Sequence, residues 1–415
     1  MGIRTLCRAG TAAVTGLLAM TLLAPSSAYA DPAYGGATDA EAAAAYLAAQ
    51  LADGDDHLSS EFEGDSFPDH GLTLDAVLAL DAAGVAQDQA DASTKWLAAN
   101  IADYVGTGGE TYANAAGKAL FFAAARGENP TSFGGLDLVA LVTSTEGARE
   151  PGRYSDISST EDYSNNIGQS FAILGLSRAG AAVNEPAVQY LRSQQCGDGG
   201  FQLAPTGGEC LSDPDATAMA VQALIAVAGA DDDDVTEGLD YLAATQREDG
   251  GFGGGSTTEG PNANSTGLAA AALTAGGRTE EAGAAHDYLA ALQHTCTSGE
   301  TDLTGVVSYD QAGYDAAQQD GPVDQDARAT AQAVMGLADT SLLTVTAGGD
   351  ATTPQVSCAA EGAAASESGA DTEDGEDGAA QEPGGTAGYL TAVGLVVFVS
   401  VGLLVYTIRR PGTRS

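Results

Sequence analysis

Two acidic runs have the residue types and spacing for proton chemistry. Asp213-Pro214-Asp215 sets two carboxyls just ahead of an apolar stretch, and Asp231 to Asp234 is a run of four aspartates after Gly229. A strongly acidic carboxyl facing a cavity could protonate an alkene, and paired carboxyls could serve as acid and base on a glycosidic bond. The Asp231–Asp234 run falls in a connection, where a solvated face is expected. Asp213 and Asp215 stand at a helix start, where capping accounts for them without any catalysis. Residues 31–358 hold 49 acids, so a pair as such has no specificity. Metal chemistry is poorly supplied. There are four histidines, His57, His70, His286 and His294, and no CxxC, and His294-Thr295-Cys296 offers too few ligands for zinc. Counting an EF-hand loop from Asp53 puts Gly64 where a bidentate Glu is required, so the Asp53–Asp56 run is no calcium loop of that type. No metal is expected.

The elements that would position these residues recur along the chain. Tyr190 and Tyr241 each have Leu next, Gln five residues on (Gln195, Gln246) and Gly-Gly-Phe ending eleven residues on (Phe201, Phe252). Tyr288 with Gln293 repeats the first half, Tyr46 and Trp96 begin similar segments, and a weaker copy belongs at 136–143. The spacing predicts six units of 47–51 residues. Each unit has a second, nearly uncharged helix, predicted over 74–83, 113–125, 167–179, 216–228, 265–275 and 327–337. Asn165, Asn166, Asp213, Asp215, Asn262, Asn264, Asp324 and Asp326 precede four of them as capping residues, and Gly follows most of them. Inner apolar helices paired with outer amphipathic ones predict an all-α, closed α6/α6 toroid. An open solenoid would want polar terminal repeats, and none stands out.

The Tyr/Trp-Leu-x3-Gln pattern followed by Gly-Gly-Phe resembles the QW-type repeat of the squalene cyclase and protein prenyltransferase superfamily of α/α toroids. Phe201 and Phe252 stand where that family has Trp, and the resemblance covers residues 40–340. It implies a structural role for Tyr190, Gln195, Phe201, Tyr241, Gln246, Phe252, Tyr288 and Gln293. The Gln amide would satisfy free backbone groups at a neighbouring helix end while the aromatic stacks on the turn. A prenyltransferase needs Asp, Cys and His on zinc with bases for a diphosphate, and this chain lacks them. The helix starts at Asp215, Asn264 and Ala331-Gln332 are similar to those of the cobalamin carriers transcobalamin and intrinsic factor. That similarity implies a ligand at the ring mouth, cobalamin among the candidates.

The ends belong to other classes. Arg4 and Arg8, the apolar run 11–24 and Ala28-Tyr29-Ala30 read as a secretory signal over 1–30. Residues 387–408 are uncharged and long enough to span about 30 Å of hydrocarbon, with Arg409 and Arg410 on the cytoplasmic side. Residues 359–386 hold eight acids and no base, an acidic stalk unable to bury a core. Between the flanks lie ten bases against 57 acids, a charge of −47, which excludes nucleic acid as a partner. Four cysteines remain after the signal, and their positions pair Cys196 with Cys210 and Cys296 with Cys358.

The reading is therefore a toroid ectodomain (31–358) on a C-terminal span, outside the cell membrane, with a short tail over 409–415. Its expected function is non-catalytic binding of a small amphipathic ligand, a glycan or a transporter partner. The expected contacts are Asp215, Asn264, Ser265, Asp326 and Gln332 on one rim. The alternatives are an exported terpene-cyclase or prenyltransferase-like enzyme, with Asp213 or Asp215 as the acid, and a glycan-active toroid.

Overall fold

The computed structural model describes residues 34, 36–147, 149–159, 161–204, 209–255, 258, 260–296, 301–356 and 358. The expected signal, stalk, span and tail lie outside the described residues. Among the described residues no helix is long and apolar enough to cross a membrane.

Outer and inner helices alternate: α1 (Asp39–Asp53) with α2 (His70–Ala83), α3 (Gln87–Val105) with α4 (Ala113–Ala125), and α5 (Leu138–Thr145) with α6 (Asn166–Arg178). The second half continues with α7 (Glu185–Arg192) and α8 (Pro214–Ala228), then α9 (Asp233–Thr245) and α10 (Ala263–Ala275). Last come α11 (Thr279–Ala291), an added helix α12 (Gln311–Asp320), and α13 (Asp324–Leu337). The inner helices pack in the order α2, α4, α6, α8, α10, α13, and α13 returns onto α1 and α2. The ring is closed, which settles the toroid against the open solenoid.

Two additions break the simple repeat. A hairpin of β1 (Ser59–Phe62) and β2 (Asp65–Pro68) precedes α2, so the fold is not wholly helical. Helix α12 intrudes into the sixth unit.

The Gln of each strong repeat acts as a backbone strut. Gln195 Nε2 donates to Gly199 O and Asp234 O, both at 2.9 Å. Gln246 Nε2 donates to Gly250 O at 3.0 Å and Glu281 O at 2.8 Å. Gln293 Nε2 reaches Gly305 O at 3.1 Å and Asp39 O at 2.9 Å. Each amide thus ties its own turn to the next outer helix, and the last ties the sixth unit to the first. Phe201 and Phe252 are fully buried beneath those turns, with Tyr190 and Tyr288 buried and Tyr241 half-buried.

A second device is at the inner-helix starts. Thr217 Oγ1 donates to Asp213 O (2.7 Å) and accepts from Phe201 N (2.8 Å). Thr266 does the same with Asn262 and Phe252, Thr330 with Asp326 and Val307, and Thr73 with Asp69 and Leu58. One hydroxyl satisfies an otherwise orphaned donor and locks the incoming turn onto the helix.

The two ends of the ring differ. At the inner-helix C-termini a strap after α13 crosses the ring. Arg178 donates to the carbonyls of Leu342, Leu343 and Val345, Leu342 N donates to Gln222 Oε1 (2.9 Å), and Asp350 N donates to Gly84 O (2.9 Å). This floor is closed. Away from the helix ends the inner helices are almost wholly buried. The exceptions include half-buried Asp75, Lys118, Phe171, Leu268, Arg328 and Gln332. They belong to α2, α4, α6, α10 and α13. Disulfides join Cys196 to Cys210 and Cys296 to Cys358, with Cα separations of 5.6 and 5.1 Å, the pairing expected from their positions.

Candidate functional site

The start of α8 carries the site. Asp213 is the N-cap, its Oδ1 accepting from Ala216 N at 2.9 Å. Asp215, two residues on, caps nothing. It lies seven residues, two helical turns, before Gln222, which faces the ring interior at the floor, so Asp215 faces the interior at the mouth. Capping therefore explains one carboxyl of the pair and leaves the other without a structural task.

Asp215 is 7% exposed, and its Oδ1 has no hydrogen-bond partner. Burial, and then the charge of neighbouring Asp213, push its carboxyl up to about 7, although a hydrogen bond from Ser265 opposes the shift. Burial also raises Asp213, against hydrogen bonds from the backbone N–H groups of Ala216, Asp215 and Gly255. The three N–H donors favour charge on Asp213, and their lack favours the proton on Asp215. Both carboxyls are raised by burial, and the N–H donors restrain the rise at Asp213 more than Ser265 does at Asp215.

Gly254, Gly255 and Thr258 lie over the pair, with Gly254 N donating to Thr258 O (2.8 Å) and Thr258 N to Gly255 O (3.0 Å). A Cβ on Gly254 would stand 3.0 Å from Asp215 Oδ2, and one on Gly255 would collide with Asp213 Oδ2. Glycine is required there because the backbone lies directly on the carboxylates. Tyr241 and Tyr309 complete the surround. Burial first, and then nearby aspartates including Asp215, push both phenols up to about 12.

The expected rim residues separate on inspection. Ser265 is fully buried, holding Asp215 and accepting from Asn262 Nδ2 at 3.2 Å. Asn264 is 2% exposed with Oδ1 unpartnered, in the same position relative to its helix as Asp215. Asp326 was expected as a ligand contact. It is instead spent on Val323 N (2.9 Å) and on Ser308, so it serves the start of α13. Gln332 is half-buried on α13, deeper in the ring than the starts of α8 and α10. The structure thus brings Asp213, Asp215 and Ser265 together, with Asn264 next to Ser265 on α10, and leaves Asp326 and Gln332 on the next helix.

The Asp231–Asp234 run is outside the ring. Asp232 caps α9, and Asp232 and Asp234 pair with Arg192, so two of the four are ion-paired rather than merely solvated. His294 is buried, stacked on Tyr314 (centroids 4.0 Å apart) with Nε2 3.0 Å from Ser308 Oγ, and burial pulls its imidazole down to about 4. Cys296 is in a disulfide, which removes the zinc rival. Among the described residues no group of three or more His, Cys, Asp or Glu is placed to hold a metal.

Sequence reasoning missed the opposite arc. Lys118 Nζ lies 2.7 Å from Asp75 and 3.0 Å from Gly71 O. Arg328 Nη2 lies 2.6 Å from Asp69 Oδ2. A single lysine inside the otherwise uncharged stretch 113–125 was the available signal for this polar interior.

No protein-family model matches the chain, and no curated protein matches it. Solved structures do. A protein from Actinoplanes is 17% identical, with a TM-score of 0.50, and the match covers 72% of this chain and 98% of that one. An unsaturated glucuronyl hydrolase from Bacillus sp. GL1, described as responsible for the degradation of glycosaminoglycan, is 12% identical with a TM-score of 0.50, covering 72% and 95%. An ent-copalyl diphosphate synthase from Streptomyces platensis also matches, at 16% identity and a TM-score of 0.35, covering 72% and 50%. The similarity to cobalamin carriers draws no support from these matches. At such identities the likeness is one of architecture, and the architecture is the α/α toroid.

Proposed function

We propose that the protein is an exported, glycan-active toroid enzyme in which Asp215 is the general acid at the ring mouth. The observation that carries this reading is a buried, interior-facing carboxyl with a free oxygen, raised to about 7 beside a second carboxyl held by three N–H groups. A general acid works best when its pKa is near the operating pH. Asp215 would deliver its proton to the glycosidic oxygen as the C–O bond breaks, and a water would add to the sugar cation, its released proton restoring the acid. Asp213, whose charged form is favoured by three backbone N–H groups against its burial, would stabilise the positive charge that develops on the sugar ring. The glycan class is taken by analogy with the glucuronyl hydrolase that shares the fold. The two disulfides agree with a place outside the cell.

The test is to incubate the protein with unsaturated glucuronyl disaccharides and with neutral gluco- and xylo-oligosaccharides, and to resolve products by chromatography. Turnover of one class should fall about 10²–10⁴-fold in Asp215→Asn, the usual contribution of a general acid, with the helical circular dichroism unchanged. Unchanged turnover in Asp215→Asn would sink the assignment. Saturable binding of a ligand such as cobalamin, without product from any glycan, would return the protein to the non-catalytic binders.

A further inference from the structure

The ring interior opposite α8 carries a second polar group that the acid chemistry does not use. Lys118 and Asp75 form an ion pair on α4 and α2, with side chains only 13% and 16% exposed. Lys118 also donates to Gly71 O and stands 6.0 Å from the centroid of the Phe171 ring on α6. Three consecutive inner helices thus converge on one spot. Two of the ammonium's three protons are engaged there, Asp75 Oδ2 retains acceptor capacity, and Phe171 offers a half-buried aromatic face.

A spare donor and a spare acceptor beside an aromatic face suit a pyranose. Adjacent hydroxyls can bond to the ammonium and the carboxylate while the ring's C–H groups cover Phe171. The charge selects further. Lys118 is matched by Asp75 and Arg328 by Asp69, so neither cation at the mouth is left over for an anion. The surrounding chain carries −47 between its basic flanks, which repels anionic ligands. We infer that Asp75, Lys118 and Phe171 form a subsite for an uncharged sugar residue, so that a bound glycan lies across the mouth between this arc and Asp215. This rests on the glycan reading above and names the sugar that this arc takes.

Binding is measured calorimetrically on Asp215→Asn protein, which removes turnover, with neutral gluco- and xylo-oligosaccharides and with unsaturated glucuronyl disaccharides as probes. Adding Asp75→Leu and Lys118→Met together should weaken the neutral oligosaccharides at least tenfold. The melting temperature should shift by only a few degrees, because well-packed apolar replacements of a buried ion pair are often tolerated. Asp75→Asn with Lys118→Gln keeps a donor and an acceptor and should recover most of the affinity. Equal affinity in the Leu/Met protein, absence of neutral-sugar binding by the Asp215→Asn parent, or preference of that parent for the glucuronyl probe would each overturn the subsite. The general-acid assignment fails separately, by unchanged turnover in Asp215→Asn, so the two failures can be told apart.

Discussion

The starts of α8 and α10 are built alike and differ in one chemical respect. In each, a side-chain oxygen at the cap accepts a backbone N–H at 2.9 Å, Asp213 from Ala216 and Asn262 from Ser265. In each, a Thr four residues on closes the same pair of bonds at 2.7–2.9 Å. In each, the residue two past the cap is buried with its Oδ1 unpartnered, Asp215 in one and Asn264 in the other. The amides of α10 show that neither the cap nor the interior position needs a carboxyl. The acids of α8 are therefore in excess of what folding demands. Of the two starts, α8 alone has a titratable side chain at that position, and burial raises it to about 7.

The comparison can be broken in descending order of effect. Asp215→Asn converts the start of α8 into a copy of the start of α10, and its loss of turnover should exceed that of Asn264→Ala at least tenfold when kcat is measured side by side. In the wild type, turnover should decline as pH rises through about 7, because the acid must be protonated. Stability should follow the same group. Asp215 holds its proton to about 7 when folded and to 3.8 in its ordinary state, so the unfolded chain binds fewer protons between those values. Wild-type stability should fall relative to Asp215→Asn across that window and run parallel above it, in denaturant titrations at several pH values. Parallel curves throughout would mean Asp215 is not held protonated.

Smaller effects test the shared scaffold. Thr217→Ala and Thr266→Ala each strand a buried backbone donor and should cost about 1–3 kcal/mol, similar at the two sites, by chemical denaturation. A cost confined to one site would show that the devices are not equivalent. Smallest of all, Asp213→Asn should change stability by a few tenths of a kcal/mol, because Asn and Asp cap about equally, whereas Asp213→Ala should cost about 1 kcal/mol.

Much of the scaffold is legible in the chain. The predicted 113–125 coincides with α4, and the other inner helices fall within a few residues at each end. The Gln struts act on the neighbouring helix as the repeat implies, because one amide donating to two carbonyls is a local requirement that recurs with the repeat. The hairpin was not foreseen. Its residues are nearly all exposed, with Phe62 at 58% and Phe67 at 45%, so no alternation of buried and exposed positions marks its strands. The site was half legible. Asp213 and Asp215 could be singled out by type and position, but capping covered both equally until the helix start fixed which one the backbone used.

What the chain determined by itself is whatever repeats: six helical pairs, their caps and struts, and the cysteines that brace the loops. These follow from periodicity and from backbone groups that must find partners nearby. What only the tertiary structure decided is whatever depends on the ring being closed. Gln293 meets Asp39 across 254 residues, the strap seals one end, and Lys118 meets Asp75 from another helix. Asp215 is pushed up to about 7 because the folded ring buries it beside Asp213, with Gly254 of the next repeat packed against its carboxyl. Desolvation depends on all neighbours in space, and no spacing along one segment records it.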